Sequence, residues 1–229
     1  MRYFMTLLFV LLAYAVFAQN DPKAKEILDK AAAKFKAYPA SEIDFTLTIE
    51  NPSENLHEMH EGKAWMKGNL YKLNVMDVEN YYDGKNIYTY MPEVQEVNIK
   101  NPNEEEEMLN PTTLFDIHNQ GFDQKLVSTG NDITYIELFP TDKSRNFTKI
   151  GIWVNPATSS IQKVTSFGKD GNNVLITIKS IKQSSPVPAD SFFKFDPAKH
   201  PDLRTGLCTR AMDAEYSGEQ GQFIREERL

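Results

Sequence analysis

The feature that most constrains the fold is a series of short segments in which apolar and polar residues alternate, with turn signals about every ten residues. The first segment covers residues 42–50, and its apolar members are Ile43, Phe45, Leu47 and Ile49. A period of two is typical of a β-strand that buries one face. The series therefore predicts an antiparallel meander, in which successive strands pair through short turns.

Residues suited to tight reversals separate these segments. Asp83-Gly84 is a strong hairpin signal, and Gly68-Asn69 and Asp170-Gly171 mark other turns. Further strands are predicted over residues 56–67, 70–76, 94–99, 122–127, 133–139, 147–154, 161–167, 174–184 and 192–195. A sheet of about eleven strands must curl on itself, so we expect a barrel or half-barrel.

Two helices are predicted outside the meander. Asp21 suits the N-cap of the first and Pro22 its first turn, and apolar residues then recur at helical spacing as far as Pro39. A shorter helix is predicted within residues 110–117, where it interrupts the strands. Its apolar residues are Leu114, Phe115 and Ile117.

The start of the chain predicts export. Arg2, a following apolar run and small residues ending at Ala18 have the order of a secretory signal peptide. We therefore predict a signal peptide at 1–18, one domain at 19–202 and a loosely ordered tail at 203–229, whose mixed charges show no stable period. In a bacterium with two membranes, the exported protein is expected in the periplasm.

The sequence offers no positive reason to propose an enzyme. It contains no nucleophile elbow, P-loop or dinucleotide-binding glycine pattern. His57 and His60 are three residues apart on a predicted strand and should point to opposite faces, so we expect no metal site. The single cysteine, Cys208, forms no internal disulfide. A net charge of −7 argues against nucleic acid as a partner.

The amount of apolar strand surface leaves two alternatives open. A tightly closed curl would use it as ordinary core, whereas a wide or incomplete curl would leave an apolar cavity for an apolar guest. Composition alone does not choose between them. One helix is too small to cover so many half-apolar strands.

The hairpin from Tyr82 to Val97 resembles the periplasmic lipoprotein carrier family, the LolA-like lipoprotein-sorting proteins. It has that family's Asp-Gly-Lys turn and an aromatic strand ending in Tyr90. Other segments resemble the family in the expected order, and together they span roughly residues 21–201. They are residues 62–67, 110–115, 138–142 and 193–197.

This resemblance implies a mainly β (α+β) fold, an incomplete antiparallel β-barrel of about eleven strands. An N-terminal helix and a short lid helix would cover its apolar concave face. The implied function is to shield the acyl chains of lipoproteins and carry them from the inner to the outer membrane. The partners would be acylated lipoproteins, an inner-membrane release complex and an outer-membrane acceptor. We expect a monomer without a cofactor.

The candidate site residues form two groups. The predicted lid residues are Leu114, Phe115 and Ile117. The predicted cavity residues are Phe45, Leu47, Ile49, Leu73, Val75, Tyr88 and Tyr90. A register error of one residue would replace the two tyrosines by Ile87 and Met91.

One basic residue departs from the family pattern. The family has Arg-Pro at the turn after the long strand, where the arginine anchors the closed lid, but this chain has Lys67-Gly68. Lysine supplies a charge without the rigid fork of arginine. Two alternatives to lipoprotein transport therefore stay open: the same half-barrel would bind another amphiphile, or would act as an envelope stress-sensing or assembly module.

Overall fold

The computed structural model of the protein describes residues 21–101 and 111–203. The predicted signal peptide, the acidic run at 104–107 and nearly all of the predicted tail, with Cys208, lie outside the described residues. The predicted N-terminal helix is confirmed as α1, Pro22–Lys36. The side chain of Asp21 caps it by accepting hydrogen bonds from the backbone N–H groups of Lys23 and Ala24.

The strands form one antiparallel sheet with eleven members, as predicted. They are β1 (Ser41–Asn51), β2 (Leu56–Lys67), β3 (Leu70–Val75), β4 (Val78–Tyr82), β5 (Ile87–Met91), β6 (Glu96–Lys100), β7 (Phe122–Thr129), β8 (Thr134–Pro140), β9 (Phe147–Asn155), β10 (Ser160–Gly168) and β11 (Asn173–Gln183). The spatial order is β6-β5-β4-β3-β2-β1-β11-β10-β9-β8-β7. Because β6 and β7 are both edges, the sheet is open and does not close into a barrel.

The sheet curls around its main core, and we call the face that lines this core the concave face. Helix α1 packs against β7, β9 and β10. A second helix, α2 (Pro111–Leu114), lies over β2 and β3. It is followed by a 3₁₀ turn, Ile117–Asn119. The short helix predicted within residues 110–117 is thus present, although shorter than expected.

The opposite, convex face of β3–β5 is covered by the segment that follows β11. The prediction of a strand at residues 192–195 is wrong, because this segment contains a 3₁₀ helix, Asp190–Phe193. Phe193 and Phe195 are buried while Phe192 and Lys194 are exposed, so the alternation in the sequence is real. It arises from packing onto the sheet instead of from pairing within it. Pro188 and Pro197 flank the segment and lack the N–H groups that a ladder needs.

Candidate functional site

The concave face and helix α2 enclose an apolar hollow. Its volume is about 40 Å³. Its lining consists of Ile43, Phe45, Leu47, Ala64, Leu73, Val75, Pro111, Leu114, Phe115, Ile176 and Ile178. Since none of the described residues in this lining has a polar side chain, the space suits hydrocarbon better than water, which needs two to four polar partners.

A glycine shapes the floor of the hollow. Phe45 and Gly62 are paired across β1 and β2 and so share the concave face. A Cβ atom at Gly62 would lie 2.2 Å from Cζ of Phe45, which is closer than atoms approach. The missing side chain therefore lets the phenylalanine ring lie flat against the neighbouring strand.

Helix α2 and the turn after it are tied to α1. The rings of Phe35 and Phe115 stack with centroids 3.6 Å apart. Nζ of Lys36 lies 3.0 Å from Oδ2 of Asp116. These contacts join the roof of the hollow to α1, so we call residues 111–119 the lid.

A polar contact near the start of α1 adds to this attachment. Nε2 of the buried His118 is 2.9 Å from Oδ1 of Asp29. The pKa of Asp29 is lowered most by a hydrogen bond from Lys25 and next by the hydrogen bond with His118. Burial acts to raise the pKa of Asp116, but hydrogen bonds from Asn119 and Lys36 outweigh it and lower that pKa. Both carboxylates are thus held in the charged form that the lid contacts use.

The structure brings together most of the residues predicted from the sequence. The predicted residues that line the hollow are Phe45, Leu47, Leu73, Val75, Leu114 and Phe115. Ile117 is fully buried in the adjoining core. Ile49 lies further along β1, opposite Glu58, and does not line the hollow.

The expected placement of Tyr88 and Tyr90 is corrected. Leu73 pairs with Asn80 and Asn80 with Thr89, so Thr89 shares the concave face, and its two neighbours point the other way. On the convex face, the tyrosine rings lie 6.0 and 5.5 Å from the ring of Phe195. Ile87 is the buried residue of β5 on the concave side.

Lys67 also lies away from the lid. Its Nζ donates to the backbone oxygen of Pro188 at 3.0 Å and to Oδ1 of Asp190 at 2.7 Å. Lys67 therefore fastens the segment after β11. Among the described polar contacts, the lid is held instead by groups on α1 and by Gln124 of β7, whose amide donates to the backbone oxygen of His118 at 2.8 Å.

Sequence analysis missed part of the lining. The missed residues are Ile43, Ala64, Pro111, Ile176 and Ile178. A signal for three of them was present, because Ile43 belongs to the alternating apolar face of β1, and Ile176 and Ile178 lie two residues apart on the strand that pairs with β1. The pairing of the first and last strands, which brings them beside Phe45 and Leu47, has no local signal.

In residues 21–101 and 111–203, no group of three or more histidine, cysteine or acidic side chains is placed to hold a metal ion. Within those same ranges, no helix has the length and hydrophobicity needed to cross a bilayer.

A family model described as outer membrane lipoprotein carrier protein LolA matches residues 81–196. The match begins in β4 and ends just after Phe195. It includes the whole hairpin at 82–97, the lid and the aromatic residues Phe192, Phe193 and Phe195. No protein with a curated functional description matches the chain.

Solved structures with similar chain traces come from several bacteria. A LolA superfamily protein from Nitrosomonas europaea is 15% identical, with a TM-score of 0.44, and the match covers 76% of this chain and 98% of that one. For a lipoprotein-sorting protein domain from Vibrio parahaemolyticus the identity is 14%, the TM-score 0.43 and the coverages 74% and 96%. LprF from Mycobacterium bovis is 13% identical, with a TM-score of 0.42, and the match covers 75% of this chain and 99% of that one.

Proposed function

Because the chain belongs to the family of the outer membrane lipoprotein carrier protein LolA, we propose that it is a periplasmic carrier of lipoproteins. It binds their acyl chains and transfers them from the inner to the outer membrane. The observation that supports this proposal most directly is the apolar hollow beneath the lid. A hydrocarbon chain is the class of ligand that such a lining favours.

The described state is a closed one. The hollow, at about 40 Å³, is far smaller than the roughly 300 Å³ from which small-molecule pockets begin. Leu114 and Phe115 of the lid occupy the space above it, Ile117 is buried in the adjoining core, and each of the three is at most 5% exposed. An acyl chain therefore enters only if the lid moves away from the concave face.

The free energy gained by burying the lid side chains is comparable to the free energy gained by burying an acyl chain. Burial of the three lid side chains contributes about 1.5–3 kcal/mol each, or about 5–9 kcal/mol together. Burial of an acyl chain of about a dozen methylenes contributes ~0.8 kcal/mol per methylene, or ~10 kcal/mol. A chain thus displaces the lid at modest net gain, and the lid assists later release. The cycle breaks no bond and needs no cofactor.

The position of Lys67 favours a second candidate, a carrier for another amphiphile. By resemblance, a basic residue at this turn would anchor the closed lid, but Lys67 binds Pro188 and Asp190 instead. The lid is fastened through Lys36 and Asp29 on α1. The two candidates share the hollow and differ in the polar part of the ligand, so the identity of the bound molecule distinguishes them.

The proposal is tested by titrating the protein with cis-parinaric acid, a naturally fluorescent fatty acid. Phe115→Asp places a carboxylate in the lining that must cover the chain, and we expect it to weaken binding about tenfold or more. Phe192→Asp is the matched control, because Phe192 is 39% exposed and lies on the convex face.

The control should bind like the natural protein, and circular dichroism should show that both variants keep their strands. Equal affinities of the two variants for cis-parinaric acid would show that Phe115 is not part of the binding site. Absence of binding by the natural protein would contradict the carrier proposal itself.

A further inference from the structure

The sheet splits between β10 and β11 at the end that lies under α1. Towards that end, the last described pair between the two strands is formed by Lys163 and Thr177. Beyond it, residues 160 and 161 of β10 pair only with β9, and residues 178 and 180–183 of β11 pair only with β1. Within the described sheet, the backbone groups that face this gap therefore lack ladder partners.

Two bulges account for the split. The register of β10 against β9 skips Gln162, and the register of β11 against β1 skips Lys179. A bulge inserts one residue, bends its strand and increases the local twist. Since the two bulges lie on the two strands that separate, they turn these strands away from each other.

A groove lies between the separated strands and α1. Its volume is about 350 Å³. Ala31, Phe35 and Ile161 form part of an apolar floor, and Thr158, Ser160 and Gln162 belong to a polar rim. The groove is therefore amphipathic, whereas the hollow is apolar throughout.

The groove and the hollow share a wall. Phe115 and Ile178 belong to the lining of both. Phe115 stacks on Phe35, which faces the groove. Rotation or withdrawal of Phe115 would therefore join the two spaces, and it is the same residue that must move when the lid opens.

We propose that the split between β10 and β11 is the entrance to the hollow, and that the groove holds the polar end of the ligand while its acyl chain passes Phe115. This inference rests on the proposed function and adds the ligand's direction of entry and a second subsite. The opposite orientation, with the polar end inside, would leave ester groups without partners in an apolar lining.

The chemistry of the rim indicates an uncharged polar end. Lys34 donates from Nζ to the backbone oxygen of Thr158 at 2.6 Å, and Lys179 forms an ion pair with Glu61, so both ammonium groups already have a hydrogen-bonding partner within the protein. The other polar side chains of the rim are hydroxyls and an amide, and the hydroxyls of Thr158 and Ser160 lie 2.6 Å apart and share a hydrogen bond. These groups suit the esters and hydroxyls of an acylated glycerol, a chemistry common to lipidated proteins and free glycerolipids.

A removable block of the groove tests the inference. Ser160→Cys, in a chain that also carries Cys208→Ser, places one thiol on the rim. Its thiolate attacks the disulfide reagent dithiobis(nitrobenzoate), which leaves a bulky thionitrobenzoate group on the protein as a mixed disulfide and releases one thionitrobenzoate. Ser128→Cys in the same background is the matched control, because Ser128 is exposed on edge strand β7. Both proteins are loaded with cis-parinaric acid, and 1-monooleoylglycerol is added as the competitor.

We expect the adduct at position 160 to slow uptake of cis-parinaric acid, and to weaken competition by monooleoylglycerol, each about tenfold. Dithiothreitol, which releases the adduct, should restore both values, and the adduct at position 128 should change neither. Melting curves before and after reduction check that the fold is retained.

Two results would overturn the inference while the proposed function stands: unchanged uptake with position 160 blocked, or equal losses at positions 160 and 128. A natural protein that takes up neither lipid would overturn the proposed function, and the inference with it. Lipoprotein and glycerolipid sources are then distinguished by competition with a synthetic diacylglyceryl-cysteine peptide.

Discussion

The contact between Phe45 and Gly62 gives the sharpest energetic prediction. The Cβ atom that Gly62→Ala adds would lie 2.2, 2.4 and 2.8 Å from Cζ, Cε2 and Cε1 of Phe45. Because these distances are too short, the ring must shift into the hollow. Overpacking of this kind costs about 1–3 kcal/mol of the free energy of unfolding.

The effect of Gly62→Ala on the free energy of unfolding should change sign when the ring of Phe45 is absent. Leucine lacks the three clashing atoms, so Gly62→Ala in a Phe45→Leu background meets no obstacle there. Alanine is then favoured over glycine in a strand interior by roughly 0.5–1 kcal/mol. We therefore expect Gly62→Ala to destabilise the natural chain and to stabilise the Phe45→Leu chain, a coupling of about 2 kcal/mol.

Urea unfolding followed by tryptophan fluorescence measures all four members of this cycle. The slopes against urea should agree, so that the midpoints report stability alone. In the natural background, Gly62→Ala should also weaken binding of cis-parinaric acid, since the displaced ring occupies the hollow. Equal effects of Gly62→Ala in both backgrounds, within about 0.5 kcal/mol, would refute the assigned packing.

Three further predictions follow from the contacts on the two faces. Tyr88→Ala should leave the affinity for cis-parinaric acid unchanged in a titration, because the ring packs on Phe195 away from the hollow; a large loss would contradict this placement. Hydrogen bonds first from Lys25 within α1 and second with His118 of the lid lower the pKa of Asp29, so its carboxylate stabilises α1 and the contact with the lid above the ordinary carboxyl value of 3.8, and that contribution is lost as the pH falls through the lowered pKa. Melting temperatures from pH 7 to about pH 2 should therefore fall less steeply for Asp29→Asn than for the natural protein, and parallel curves would count against the contact. Lys67→Ala should speed hydrogen exchange near Asp190 without changing acyl affinity, whereas weaker acyl binding would point to a role in the lid.

The sequence is informative where one face of a strand is clearly apolar. In β1, Phe45 and Leu47 alternate with charged or hydroxyl residues, so their common face follows from the period alone. The Asp83-Gly84 turn likewise predicts the β4–β5 hairpin that the structure contains.

Strand β5 shows the limit of this reasoning. Ile87 and Met91 are apolar on one face, and Tyr88 and Tyr90 are largely apolar on the other, so alternation does not select the buried side. Both faces are in fact covered, the convex one by the distant segment that carries Phe195. That coverage depends on tertiary contacts, which the pattern within β5 does not contain.

The split in the sheet is beyond local sequence patterns for a similar reason. Gln162 and Lys179 are ordinary polar residues at strand positions, and nothing around them marks a bulge. The bulges are defined by register against neighbouring strands. Register is a property of pairs of segments, so the groove is visible only once the strands are paired.

Native mass spectrometry of the protein, purified without detergent from cells that make lipoproteins, shows whether the protein carries acyl chains. The carrier account predicts a population whose added mass corresponds to acylated cargo and which loses that mass in Phe115→Asp. Protein that is repeatedly free of acyl material, and that also fails to take up cis-parinaric acid, would contradict the account.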